Sequence, residues 1–101
     1  MSMAYAIRPA TQADLPDIVA LDTEAFSPYG TAEDPQVIAA RHAVFPEGML
    51  VIEGEQRLIG YGSAEKWLTE REPALNEHPA ATHHPTGQIF CITAMAVWPA
   101  H

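Results

Sequence analysis

The sequence predicts a small α+β domain built on a mostly antiparallel sheet. Three observations carry this. Apolar runs of strand length lie at residues 4–7, 49–53, 58–65 and 88–98. Two stretches between the first and second runs repeat their hydrophobic residues at helical spacing. The two middle runs are joined only by Gly54-Glu55-Gln56-Arg57, a polar turn of hairpin length. The order is strand, helix, helix, strand, strand, long loop, strand.

A chain of 101 residues makes one domain at most, and at 48% hydrophobic content it can form a packed core. Thirteen acids against five basic residues give a net charge of −8. That balance disfavours nucleic acid and anionic membrane as partners and suits a basic or amine-bearing one. The single cysteine, Cys91, excludes an internal disulfide and is expected as a small buried hydrophobe. The N-terminus has no basic region followed by an apolar run, and no run is long enough to span a membrane. A soluble cytoplasmic protein is the expectation.

Residues 4–7 read as a strand ending at Pro9. Thr11 with Asp14 three residues on is a variant capping box opening a helix over residues 12–26, with Pro16 tolerated in its first turn. Leu15, Ile18, Val19, Ala25 and Phe26 share one face, and Asp22 falls on the same face. An acid there either bonds a nearby backbone amide or faces a cleft. Ser27-Pro28-Tyr29-Gly30 is a turn. Asp34-Pro35 restarts a helix carrying Val37, Ile38, Arg41, Val44 and Phe45, which stops before Pro46. Gly60 and Gly62 thin the third strand where something packs close.

Residues 67–86 hold three prolines and three histidines with little periodicity, a loop longer than compact domains carry without a purpose. His78, His83 and His84 have no partner cysteine and no helical His-x-x-x-His spacing, so solvated loop histidines are expected and zinc is not. Gly60-Tyr61-Gly62 lacks the third glycine and following helix of a phosphate-binding turn. The last run, 88–98, is apolar at both odd and even positions, the mark of a central strand covered on both faces. The chain ends three residues after Trp98, which leaves that strand's edge without a following element and open to pairing with another chain.

Several stretches resemble the GNAT superfamily of acyl-CoA-dependent N-acyltransferases. IRPATQADLPDIVALDTEAF looks like the family's first strand and helix, GMLVIEGEQRLIGYGSAE like its second and third strands, and ITAMAVWPAH like its fourth. The most telling piece is Met95-Ala96-Val97 followed by x-Pro. The resemblance covers nearly the whole chain but only the N-terminal half of the family's domain. The glycine-rich turn that cradles the cofactor's pyrophosphate would follow His101, so the C-terminal cofactor-binding half is expected to be lacking.

The resemblance implies acetyl transfer from acetyl-CoA to a primary amine, from a truncated or split N-terminal part. Main-chain groups of Met95, Ala96 and Val97 would hold the pantetheine arm. Glu65 or Asp22 would serve as general base, with Thr93 positioning a water. Ser27, Tyr29 and Trp67, with the 67–86 loop, would line the acceptor side. The partner would be the missing half or a second copy of the chain. The rival expectation is a non-catalytic assembly module that pairs with another chain through the terminal strand.

Overall fold

The computed structural model describes residues 5–69 and 75–98. Four strands form one antiparallel sheet in the order β1-β2-β3-β4: β1 (Tyr5–Pro9), β2 (Met49–Gly54), β3 (Arg57–Trp67) and β4 (Ile89–Val97). Two helices, α1 (Leu15–Phe26) and α2 (Pro35–Val44), connect β1 to β2, and a single helical turn, α3 (Pro79–Thr82), lies between β3 and β4. Helices α1 and α2 cover one face of the sheet. Ile18, Leu21 and Ile38 pack there against Met49, Val51, Tyr61 and Ala96.

The local signals act as anticipated at most element ends. The Asp34 carboxylate accepts from the Gln36 amide at 2.8 Å, and Pro35 occupies the first helical position. A 3-10 turn (Gln12–Asp14) precedes α1, because Asp14 folds back onto Thr11 instead of continuing the helix. Gly48 sits against the Phe45 ring and the Ala64 carbonyl with no room for a Cβ. Strand β3 runs two residues further than the sequence pattern indicated, since Lys66 and Trp67 pair with Phe90 and Ile89. The 67–86 segment is likewise not all loop. His78 Nδ1 accepts from the Ala80 amide to cap α3, and the His84 amide donates to the Lys66 carbonyl. His83 stacks on Phe45 with ring centres 4.6 Å apart while its Nδ1 accepts from the Lys66 amide.

The largest correction concerns β4. Its outer edge has no strand partner among the described residues, as the sequence reading expected, but the strand is not covered on both faces. Between Ser63 and Ala64 the register with β3 slips, so that Ser63 faces Ala94, Ala64 faces Ile92, and Thr93 is the extra residue. This bulge flips the side-chain alternation mid-strand. Phe90 and Ile92 before it, and Met95 and Val97 after it, all project from the face opposite the helices, each roughly half exposed or more. Leu50 and Ile7 extend the same open face, and Gly60 and Gly62 form its floor. Cys91 is only half buried, not a core hydrophobe.

Asp14 fastens β1 to α1. Its carboxylate accepts two bonds from the Arg8 guanidinium, at 2.7 and 2.9 Å, and one from the Thr11 amide at 2.7 Å. Arg8 also bonds Glu53 on β2. Chiefly through the Arg8 bonds, and against the opposing effect of burial, the Asp14 carboxyl is held well below the usual carboxylate range. A depressed acid gives its full stabilisation above its unfolded value, near pH 4, and loses it as pH falls below that. Asp14→Asn should therefore lower stability by about 1 kcal/mol at pH 7. The gap from wild type should close on acidification below about pH 4. Urea unfolding across pH checks this, and a gap independent of pH would contradict it.

Candidate acceptor site and buried charge network

One end of α1, the turn after it and the bulge of β4 converge on a cavity of about 260 Å³ lined by Asp22, Phe26, Thr31, Glu33, Leu75, Thr93 and Ala94. Asp22 reaches it because it lies one helical turn from both Ile18 and Phe26 on the buried face of α1. Its residue is wholly inaccessible, and each carboxylate oxygen accepts one bond. Tyr61 O–H donates to Oδ1 at 2.6 Å and the Glu33 amide donates to Oδ2 at 2.8 Å. Both sequence readings of Asp22 thus hold together: it bonds a backbone amide and it faces a cleft. Burial first, and then the bond to Asp22, push the Tyr61 hydroxyl far above its ordinary value, so Tyr61 stays a proton donor to the carboxylate.

Thr93 enters the cavity wall through the bulge, and its hydroxyl shares a hydrogen bond with the buried Ser63 hydroxyl. The third expected catalytic residue, Glu65, does not line this cavity. It is 2% exposed, and its Oε1 accepts from Trp67 Nε1 at 2.8 Å and from Thr82 Oγ1 at 2.6 Å. Trp67, expected on the acceptor side, is buried and lines a separate pocket with Leu68, Thr69, Ala81, Thr82 and His84. Ser27 and Tyr29 lie in the turn after α1, exposed and outside the cavity lining.

Arg41 joins these groups. Its Nη2 lies 2.6 Å from Glu33 Oε1, and its Nε lies 3.7 Å from Glu65 Oε2. Among the described residues, Arg41 Nε and Nη1 have no hydrogen-bond partner although they are buried. One guanidinium therefore serves two nearly buried carboxylates, with the buried Asp22 held by the Glu33 amide beside them. The cavity itself has two carboxylates in its wall and no basic residue. Such a lining favours a cation with an apolar body, whose charge lies near Glu33 and the buried Asp22 while its carbons meet Phe26, Leu75 and Ala94.

Glu33, Leu75 and Asn76 were not singled out by the sequence reading. Arg41 was the available signal: a cation within the apolar stripe of α2 requires a buried acid somewhere. On β4, Thr93 and Ala94 line the cavity, and from Ala94 to Val97 the edge away from β3 has no strand partner among the described residues. Alternate amides and carbonyls of an edge strand point outward and can pair with an extended amide-bearing arm. Among the described residues no group of three or more potential metal ligands comes together, and no helix is long and apolar enough to cross a membrane.

Comparison with known proteins agrees with this architecture. No protein-family model matches the sequence, and no curated protein matches it. Among solved structures, the loading GNATL domain of CurA from Lyngbya majuscula superposes with a TM-score of 0.84 at 21% identity, covering 96% of this chain and 49% of that one. A GphF GNAT-like decarboxylase in complex with isobutyryl-CoA superposes with a TM-score of 0.80 at 23% identity, covering 94% of this chain and 49% of that one. The chain spans about half the length of these solved domains.

Proposed function

The chain has a GNAT-type fold, with its open cavity at the bulge of β4, and on that premise we propose that it carries the acceptor side of an N-acyltransferase acting on a primary amine. The observation that supports this most is the buried Asp22 carboxylate facing the cavity beside Thr93. An alkylammonium group placed there lies beside Glu33, with the Asp22 charge just behind the wall, and the apolar lining takes its carbon chain. Asp22 attracts the charged nitrogen from behind the cavity wall, and takes up the proton that must leave before the amine can act as a nucleophile once its bond to Tyr61 or to the Glu33 amide gives way. Thr93, tied to Ser63, fixes a water or the amine itself. Tyr61 and the Glu33 amide hold the carboxylate in place. Acyl-CoA supplies the acyl group as an activated thioester, with acetyl as the group proposed. The outward-facing backbone of Met95, Ala96 and Val97 is the edge along which its pantetheine arm would lie.

Calorimetric titration of the 101-residue chain with a panel of primary amines tests the acceptor site without requiring turnover. Binding tighter than about 1 mM is expected, equivalent to about 4 kcal/mol. Asp22→Asn should weaken it by about tenfold or more, since the variant keeps the shape and loses the charge. No amine binding in the wild type, or equal affinity in the variant, would overturn the reading.

A second reading is an assembly module that pairs with another chain. The open apolar face around Phe90, Ile92 and Met95 favours it, and the two readings are compatible.

A further inference from the structure

We infer that the Leu75–Asn76 turn is the specificity-determining wall of the acceptor cavity, clasped onto the α1–α2 connection by Asn76. The inference rests on the acceptor reading for its ligand, and on geometry alone for the clasp. Leu75 lies in the cavity lining with Asp22 of α1 and Thr93 of β4, yet about half of it faces solvent. It is thus a wall at the rim and not part of the core. What holds it there is a reciprocal pair of bonds. The Asn76 amide donates to Glu33 Oε2 at 2.9 Å, and the Asp34 amide donates to Asn76 Oδ1 at 2.7 Å.

The clasp needs an unusual backbone. Asn76 has φ of +60°, in the left-handed region that asparagine tolerates better than other side-chain-bearing residues. That conformation lets one residue present its own amide and its side-chain oxygen to two successive residues of the other segment. Glu33 is the shared element. Its side chain bonds Arg41 through one oxygen and Asn76 through the other, while its amide holds Asp22. The wall is therefore registered against the carboxylate proposed to attract the nitrogen. Its distance from Asp22 sets how large an amine body can enter. Both clasp bonds are solvent-exposed, so the wall can open without disturbing the core.

The test uses the whole chain and two amines, n-pentylamine and 2-(1-naphthyl)ethylamine. Wild type should prefer the smaller by about tenfold or more, as pocket discrimination by bulk commonly gives. Leu75→Ala should bring that ratio towards one by admitting the larger amine. Asn76→Gly keeps the positive φ and the backbone bond but removes the side-chain bond, and it should relax the ratio likewise. Asn76→Asp restores an acceptor oxygen and should recover most of the preference. Amide exchange at Asp34 reads the clasp independently, and should speed up about tenfold in Asn76→Gly. An unchanged ratio in both variants, or equal weakening of both amines, would overturn the assignment of specificity. Unchanged exchange at Asp34 would overturn the clasp. If wild type bound neither amine, the acceptor reading and the wall's role in specificity would fall together, and the Asp34 exchange would still decide the clasp.

Discussion

Replacing Arg41 by methionine should cost about 3–5 kcal/mol, because it leaves buried carboxylates without their cation. That is a large share of the 5–15 kcal/mol that holds a typical small domain together. Arg41 is 6% exposed and bridges Glu33 and Glu65 from the buried side of α2. Removing it strands both acids in an environment where ionisation is expensive. The loss should be largely recovered in the triple variant Arg41→Met, Glu33→Gln, Glu65→Gln, which empties the site of charge. Urea unfolding of the three proteins decides the matter. A loss below about 1 kcal/mol for the single variant would show a surface-like ion pair instead.

The second large effect is on association. Phe90, Ile92, Met95 and Val97 stand on one open face at the free edge of the sheet, and the first three line a groove of about 210 Å³ together with Gly62 and Ala64. Covering large side chains of this kind contributes roughly 1.5–3 kcal/mol each before the costs of association. In a concentration series followed by light scattering, the chain should self-associate or capture a complementing half-domain. Ile92→Lys should shift the midpoint at least about tenfold towards monomer. A monodisperse monomer at high concentration, unaffected by the substitution, would mean that this face is not used.

Much of the fold was legible because caps and turns are local. Asp34-Pro35, Pro46 and the hairpin turn act through neighbours a few residues away; the turn closes on Glu55 and Gln56 alone, with Gly54 and Arg57 taken into the strands, and α2 ends at Val44, one residue before Phe45. Leu21 escaped notice although it is wholly buried, since it sits beside Asp22 at the margin of the stripe drawn through Ile18 and Ala25. The misjudged status of β4 has a different cause. Its two faces are apolar in sequence because the bulge at Thr93 moves the outward set from even to odd positions. A run that changes phase looks like one covered on both sides. The site was legible only in its parts. Asp22 and Thr93 were identified and do meet at one cavity, whereas Glu65 is held by Trp67 and Thr82 away from its lining. Glu33 and Asn76 carry no periodic signal, because their importance lies in a contact between segments 43 residues apart.

The hairpin between β2 and β3 has a kinetic consequence. Its two central residues, Glu55 and Gln56, have φ of 55° and 64°, positions where glycine or asparagine would sit without strain. A residue with a Cβ is disfavoured there by roughly 1–2 kcal/mol. The turn therefore opposes its own closure in the unfolded chain, and strand pairing across Met49–Gly54 has to hold it shut. A reversal that resists closing is a poor place for folding to begin. The hairpin tip is accordingly expected to close late, so that substitutions at Glu55 and Gln56 should change the unfolding rate more than the folding rate.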